Sequence, residues 1–379
     1  MMKKQKIILF EAFAGIGSQY YALKKLKNYK VEVAGISEWD IKALNAYRKV
    51  HYPGVRDESI DPKIARKELG KKDFSKDGIS KYDLNKLNDN EIVKLFNTDK
   101  IVKNFGSVQN LSNNLTKVNH QKINIFVYSF PCQDLATGGK GLGMKKGSGT
   151  RSGLLWELEN FLNQLNKLNS SPDVLLLENV RTIYSPTHRE DLNLWLDFLR
   201  SIGYNQNIEL LLNALDYGLP QNRKRAFIIS INKRLSVDVE KLKSSIENSK
   251  TPVNEIDIND FVKLGYNASE ENDAWLNRTP SREEMWRINK KELRLKPLLG
   301  TITCNLDRSN NAGMFKYRNS YRLLTMREAF SLMGFGEEVY TGLKELEYSY
   351  RQLNKLIGNS IAINVLEVIF KNILKFVSF

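Results

Sequence analysis

Three side-chain types stand at one end or the other of an expected strand, and together they define a chemistry. Cys132 follows the apolar run Ile123 to Phe130 and then Pro131. Glu178 follows the apolar run Pro172 to Leu177, and Arg223 and Arg225, in Gln221-Asn222-Arg223-Lys224-Arg225, lead into Ala226 to Ile231. A strand-end cysteine taken alone is more often inert packing than a nucleophile, so its neighbours decide. A thiolate, a carboxylic acid and a guanidinium suit addition to a polarised ring. In cytosine, C5 is too weak a nucleophile to take an alkyl group unaided, whereas a thiolate added at C6 makes C5 enamine-like. A carboxylic acid on N3 eases that addition, and an arginine on O2 stabilises charge there. None of the histidines (His51, His120, His188) adjoins the thiol, so nearby positive charge and the strand end must favour the thiolate.

A second constellation lies near the N-terminus. Lys6 to Phe10 reads as a first strand, Glu11 to Ser18 as a turn carrying Gly15 and Gly17, and Gln19 to Leu26 as a helix. Strand, glycine turn and helix bring backbone amides close to a nucleotide-like ligand. Val31 to Ser37 reads as the next strand, ending in Glu38-Trp39. A carboxylate so placed can accept from ribose hydroxyls, and the tryptophan can stack on an adenine. The turn lacks a phosphate-gripping Lys-Ser/Thr pair and a third glycine in GxGxxG spacing, which favours a compact adenosyl cofactor over a dinucleotide.

The elements that must position these residues alternate strand with helix. After Cys132 comes a glycine-rich flap, then a helix running to about Leu168, the Pro172 to Leu177 strand, a helix over Asp191 to Gly203, a strand near Asn207 to Asn213, and the Ala226 to Ile231 strand. Buried strands alternating with helices predict an α/β fold with a parallel or mostly parallel sheet. Residues 52–120, polar and rich in lysine and asparagine, read as a variable insertion of short helices, partly mobile. The alternation ends near Asn232. Residues 1–231 are therefore expected to form a large domain, followed by a smaller one. Thr325 is placed to cap a helix, and the apolar segment from Ile361 is interrupted by Asn364, Glu367, Lys371 and Lys375 at helical spacing, as in a docked terminal helix.

Composition narrows the partners. Lys+Arg exceeds Asp+Glu by 58 to 43, a net charge of +15, which points to a polyanion, nucleic acid first. The 41% hydrophobic and 27% charged content is that of a folded globular chain. Cys132 and Cys304 are the only cysteines; they form neither a disulfide framework nor a zinc pattern, so no metal is expected and a reducing cytosol fits. Glu11 ends the first apolar run far too early for a signal peptide or a membrane span.

In this order and spacing, the motifs resemble those of the DNA (cytosine-5)-methyltransferases of bacterial restriction–modification type. Phe13-Ala14-Gly15-Ile16-Gly17 looks like the family's first motif, Ser37-Glu38-Trp39 its second, Phe130-Pro131-Cys132-Gln133 its nucleophile motif and Glu178-Asn179-Val180 its acid motif. Gln221-x-Arg223-x-Arg225, Arg322-x-Leu324-Thr325-x-Arg327-Glu328 and Gly358-Asn359-Ser360 resemble the later ones. The resemblance implies a Rossmann-like methyltransferase sheet in a large catalytic and cofactor-binding domain, 1–231 completed by 345–379, with 232–344 as a smaller target-recognition domain. It also implies S-adenosylmethionine as methyl donor, leaving S-adenosylhomocysteine, held by Phe13, Ala14, Gly15, Ile16, Gly17, Glu38, Trp39, Ser107, Val108, Pro131, Leu154, Asn359 and Ser360. Cys132 would add to C6, Glu178 would contact N3 and the exocyclic amine, and Arg225 would contact O2 with Arg223 in support. The substrate would be double-stranded DNA with its target base flipped out, contacted by Gln133, Lys140, Arg151 and Thr301.

A monomer in the bacterial cytoplasm or nucleoid, with a cognate restriction endonuclease as functional partner, completes the expectation. Ser107 stands where the family usually has an aspartate near the adenine amine, and Met326 where proline is common. Tyr128-Ser129-Phe130 and Arg151 to Glu157 look most like mollicute-type CpG enzymes, a pattern the second domain does not share. A tRNA cytosine-5 methyltransferase built on the same motifs and a catalytically silent DNA-binding relative stay open at this point.

Overall fold

Apolar runs too short for helices and rich in Ile, Val, Leu and Phe build a single six-stranded sheet. The computed structural model describes residues 4–114, 122–135, 143–262, 279–281, 284, 299–306, 315–317 and 320–379. In chain order the sheet strands are β1 (Gln5–Ala12), β2 (Tyr29–Ser37), β3 (Ile125–Tyr128), β4 (Val174–Val180), β5 (Gln206–Asn213) and β6 (Lys224–Ile231). Their order across the sheet is β2-β1-β3-β4-β6-β5. β1 pairs in parallel with β2 and with β3, and β3 with β4, while β6 runs antiparallel to β4. The sheet is thus mostly parallel, as the alternation of elements predicts.

The central strands are buried along nearly their whole length, as a sheet covered on both faces requires. On one face Phe10, Phe126, Tyr128, Leu175, Leu177 and Ile228 form one apolar cluster. Leu158, Phe161 and Leu165 of a helix over Glu157–Lys167 join them, as do Leu192, Trp195 and Leu199 of a helix over Pro186–Ser201. The second of these begins at Pro186, five residues before its expected start, because proline is well suited to the first helical position. We number the helices α1 (Ser18–Lys25), α2 (Ile41–His51), α3 (Pro62–Leu69), α4 (Asp89–Ile101), α5 (Glu157–Lys167), α6 (Pro186–Ser201), α7 (Val239–Asn248), α8 (Met326–Leu332), α9 (Glu337–Lys344), α10 (Tyr350–Gly358) and α11 (Ile363–Phe376).

The insertion contains short helices packed on β2 and α2. Its described residues hold two capped helices: Asp61 caps α3 with Pro62 behind it, and Asn88 with Glu91 makes a reciprocal capping box on α4. Ala65, Leu69, Phe74, Leu87, Ile92, Leu95 and Val102 are buried with Val33, Ile36, Leu44 and Tyr47 of β2 and α2. The polar composition hid this core because its apolar anchors are spaced one per helical turn rather than in runs.

The chain divides into two compact units. The first comprises 1–212, 225–245 and 369–379, the second 213–224 and 246–368. In the first unit the end of α11 returns to the sheet, where the Tyr29 hydroxyl at the start of β2 donates to the Leu374 carbonyl (3.5 Å). The second unit contains β7 (Phe315–Tyr317) and β8 (Ser320–Arg322), paired as an antiparallel ribbon. It also holds α8, capped by Thr325 in a capping box with Glu328 as its sequence predicts. Glu328 is fastened to the fully buried Arg322 by bonds of 2.9 and 3.1 Å. By composition alone Tyr350–Phe376 is long and apolar enough to cross a membrane, but 72% of its most apolar window is buried inside the protein.

Candidate active site

β3 and β4 lie side by side in register, Tyr128 opposite Leu177, so the next residues, Ser129 and Glu178, emerge together at the strands' carboxyl edge. The Ser129 hydroxyl donates to Glu178 Oε2. On the other side, Glu178 faces Phe227 and Val180 faces Arg225 across the antiparallel pair. Glu178 and Arg225 are therefore diagonal neighbours on one face, with Arg225 Nε 3.4 Å from Glu178 Oε1. Both are largely buried, the side chains 7% and 17% exposed, so each holds a charge its partner must offset. Asn179, the residue after the acid, turns its amide to the Phe130 carbonyl (3.0 Å).

Cys132 is half-buried and outside any disulfide. Its loop is pinned on both sides: the Leu135 amide donates to the Cys132 carbonyl (3.0 Å), and the Ser152 hydroxyl donates to the Pro131 carbonyl (2.6 Å). The Ser152 amide donates to the buried Asp134 carboxylate (3.2 Å). The sequence reading gave no site role to Ser129, Asp134, Ser152 or Asn179. Their signal was adjacency to Cys132 and Glu178, visible only once the strands are in register.

The glycine turn sits between β1 and α1. Gly15 and Gly17 both take positive φ, +57° and +77°, which glycine adopts without penalty. Phe13 also has φ of +56°, a conformation that costs a bulky residue on the order of 1–3 kcal/mol and is held only where the surroundings impose it. A methyl at Gly17 would meet His51 Nε2 at 2.3 Å and Tyr47 Cε2 at 2.5 Å, whereas one at Gly15 would meet nothing within 4 Å. Beneath the turn the fully buried Glu11 accepts from the Tyr47 hydroxyl (2.6 Å) and the Tyr20 amide (3.2 Å), and His51 Nε2 lies 3.0 Å from the Ile16 carbonyl. Burial pushes the Glu11 carboxyl up to about 7 against the pull of Tyr47, and burial holds His51 well below its usual range and hence neutral.

Glu38 closes the site from the end of β2. Its carboxylate accepts the amides of Gly15 (2.9 Å), Trp39 (2.8 Å) and Asp40 (2.8 Å). Burial, then the neighbouring Asp40 charge, push it up to about 7 despite these bonds. A carboxylate has about four acceptor positions, and three amides leave one for a hydroxyl. The open space over Gly15, the spare acceptor of Glu38 and the half-buried Trp39 fit an adenosyl group. Asn104, absent from the sequence reading, accepts the Glu38 amide (3.1 Å) and donates to Asp99 (2.9 Å).

Other expected site residues are placed as follows. Residues 103–105 run beside β2, with the Phe105 amide on the Ile36 carbonyl (2.8 Å), so Ser107 does stand at a strand-like end; its hydroxyl caps the next turn at Gln109 (3.4 Å). Val108 is buried next to it. Phe13 and Leu154 are half-buried and pack on the same core cluster. Gln133 is exposed, and Arg151 donates to the Gly78 carbonyl (3.0 Å). Lys140 lies outside the described residues.

In the second unit Arg223 is buried and donates to the carbonyls of Ile302 (2.6 Å), Gly358 (3.2 Å) and Ser360 (2.7 Å). Thr301 donates to the Asn222 carbonyl (2.6 Å), the Cys304 thiol to the Asn359 amide oxygen (3.0 Å), and the Ser360 hydroxyl to Leu356 (2.9 Å). The geometry gives Arg223 the work of tying three segments of that unit together.

Comparison with known proteins matches residues 74–375 to the family model described as C-5 cytosine-specific DNA methylase. The chain is 33% identical to the orphan methyltransferase M.SssI of Spiroplasma monobiae over 98% of each chain. It is 29% identical to the type II methyltransferase M2.ScrFI of Lactococcus lactis, over 97% of this chain and 99% of the relative. Among solved structures, the S. pombe Dnmt2 methyltransferase shares the fold with a TM-score of 0.64 at 16% identity, covering 98% of this chain and 99% of that one.

Proposed function

The chain belongs to the C-5 cytosine-specific DNA methylase family and is an S-adenosylmethionine-dependent DNA (cytosine-5)-methyltransferase, and on that premise we propose how its residues divide the work. Cys132 is the nucleophile: its sulfur forms a bond to C6 of a cytosine flipped from the duplex as the C5=C6 π bond opens, and after C5 has been methylated, loss of the C5 proton to a base and departure of the sulfur from C6 restore the double bond and the free thiolate. Glu178 holds N3 and the exocyclic amine, and Arg225 holds O2. Together they draw electron density away from C6 as the thiolate arrives and leave C5 nucleophilic. The observation that carries this reading is that Ser129 and Arg225 both engage Glu178 beside the loop of Cys132. Ser129 and Arg225 fix the carboxyl group's orientation before substrate binds, so no reorganisation is needed at the reacting step.

The methyl donor supplies an electrophilic methyl group on a sulfonium. Glu38 would receive its ribose hydroxyls, Trp39 would stack on its adenine, and the Gly15–Gly17 turn would let it approach the backbone. Phe13, Leu154, Ser107 and Val108 would help hold it, with Ser107 in place of an acidic acceptor. Gln133, Lys140 and Thr301 would contact DNA, whereas the Arg151 guanidinium is bonded to the Gly78 carbonyl. Residues 232–344 supply sequence recognition. The enzyme acts as a monomer, because one strand is modified at a time, in the cytoplasm, where its methylation protects DNA from an endonuclease of the same specificity.

Two experiments test the proposal. Bisulfite sequencing of DNA from cells expressing the protein reads the modified base and its sequence context together. A covalent complex with 5-fluorocytosine-containing duplex, lost in Cys132→Ala, tests the bond to C6; methylation that persists in Cys132→Ala, or that is confined to tRNA, overturns the reading.

A further inference from the structure

The insertion has no role in the division of labour above, yet one of its turns is bonded to both ends of the candidate site. At one end, the Ser75 amide donates to the Trp39 carbonyl (2.7 Å) and the Ile41 amide to the Ser75 carbonyl (2.9 Å), a strand-like bridge next to Glu38. Ser75 is fully buried there. From Ser75 the chain makes a tight turn closed by Asp77. Its carboxylate accepts from the amides of Ile79 (2.7 Å) and Ser80 (2.9 Å) and from the hydroxyls of Ser75 (2.8 Å) and Ser80 (2.7 Å). Those bonds hold the Asp77 carboxyl far below its usual range although it is exposed.

At the tip, Gly78 takes φ of +70° and is buried between exposed neighbours, its carbonyl accepting from the Arg151 guanidinium (3.0 Å). Arg151 immediately precedes Ser152. Ser152 is fully buried and holds the Pro131 carbonyl and the Asp134 carboxylate, on either side of Cys132. Hydrogen bonds and short chain segments therefore connect Glu38 through Trp39, Ser75, Gly78, Arg151 and Ser152 to Pro131, just before the thiol, and Asp134, two residues after it.

We propose that Arg151 is a positioning residue, fastening the Cys132 loop to the Ser75–Ser80 turn so that the cofactor-binding end of β2 and the thiol are held in one frame. The inference rests on the roles given above to Cys132 and Glu38. Methyl transfer needs C5 and the donor methyl aligned, and a displacement near 1 Å costs roughly 100-fold in rate. A single surface turn that references both groups to the same backbone serves that need. This role is separate from a phosphate contact, which would add affinity without setting the thiol.

The test compares Arg151→Ala, Arg151→Lys, Asp77→Ala and the double variant Asp77→Ala/Arg151→Ala in the full chain. Turnover, KM for DNA, affinity for S-adenosylhomocysteine, thermal stability and the salt dependence of DNA binding are measured for each. Each alanine variant is expected to lower kcat by about 10-fold or more with KM for DNA nearly unchanged. The double variant is expected to be no slower than the slower single one, because Asp77 shapes the turn that presents the Gly78 carbonyl to Arg151 and both changes lose that one link. Arg151→Lys recovers part of the loss. Three results overturn the inference: multiplicative losses in the double variant; a loss confined to DNA affinity, with the salt slope reduced by about one; or lowered thermal stability with unchanged kcat. Cys132→Ala runs in parallel. If it stays active the underlying roles fail, whereas if it is inert and Arg151 and Asp77 act independently, only the shared frame fails.

Discussion

The two glycines of the turn give the sharpest test of the site, because one added methyl separates packing from binding. Gly17 has φ of +77°, and its methyl would stand 2.3 Å from His51 Nε2 and 2.5 Å from Tyr47 Cε2. Neither neighbour can give way cheaply. Tyr47 is fully buried with its hydroxyl bonded to Glu11, and His51 is nearly so, against the Ile16 carbonyl. A left-handed non-glycine residue costs about 1–2 kcal/mol and overpacking about 1–3 kcal/mol, so Gly17→Ala should destabilise the protein by roughly 2–5 kcal/mol. Gly15 shares the backbone cost at φ of +57° but its methyl meets nothing within 4 Å, so Gly15→Ala should cost only about 1–2 kcal/mol. That open space is where the adenosyl group is proposed to sit, so Gly15→Ala should still lose S-adenosylhomocysteine binding. Denaturant unfolding and titration calorimetry on both variants measure the two quantities independently. The reasoning is refuted if Gly17→Ala is as stable as the parent, or if Gly15→Ala binds cofactor normally.

Three further outcomes are expected. Cys132→Ser should lose methyl transfer by a factor on the order of 10⁴ or more while S-adenosylhomocysteine binding stays within about threefold, measured by tritium transfer and calorimetry. Glu178→Gln should slow turnover by roughly 10²–10⁴-fold, the usual worth of a positioned acid, and rapid-quench kinetics should place the loss in formation of the covalent complex. Glu38 and Glu11 should make cofactor affinity and stability depend on pH in opposite directions. Both carboxyls are raised from 4.5 to about 7 in the fold, so the folded chain keeps protons the unfolded chain has released. Stability therefore falls as pH rises from about 4.5 to about 7. The ionised Glu38 is the form that accepts ribose hydroxyls, so cofactor affinity should rise over the upper part of that window, and Glu38→Gln should flatten the affinity profile.

Much of this site was legible because its motifs are local. Cys132, Glu178 and the Gly15–Gly17 turn each sit where an apolar run stops, and a buried strand followed by a special residue is a pattern a sequence shows directly. What stayed hidden depends on register or on bonds between distant segments. Ser129 looks like any serine until β3 and β4 align it with Glu178. Asn104 lies in a charged stretch, yet it holds the Glu38 amide across 66 positions of sequence. The insertion read as loosely ordered because its buried side chains come singly, and only packing against β2 and α2 makes them a core.

Arg225 shows how strand direction, rather than composition, completes the site. Cys132, Glu178 and Glu38 all follow or close strands, and parallel strands bring such residues to one edge of a sheet. Arg225 instead stands at the beginning of its strand, β6 (Lys224–Ile231). In an all-parallel sheet it would lie at the opposite edge, a strand's length from Glu178 and unable to reach it. β6 is the strand that runs antiparallel to β4, with Arg225 opposite Val180 and Ile231 opposite Val174, so its first residues arrive where β4 ends. The reversal delivers a guanidinium to the carboxyl edge without a helix crossover, and the ion pair with Glu178 follows from the register. Grouping the two arginines of the sequence motif as one pair was natural, but their neighbours separate them: Arg225 meets a carboxylate in the first unit, and Arg223 meets three backbone carbonyls in the second. Substituting Arg223 should therefore reduce the stability of the second unit, whereas Arg225→Ala should strike turnover directly by leaving Glu178 with a buried, uncompensated charge.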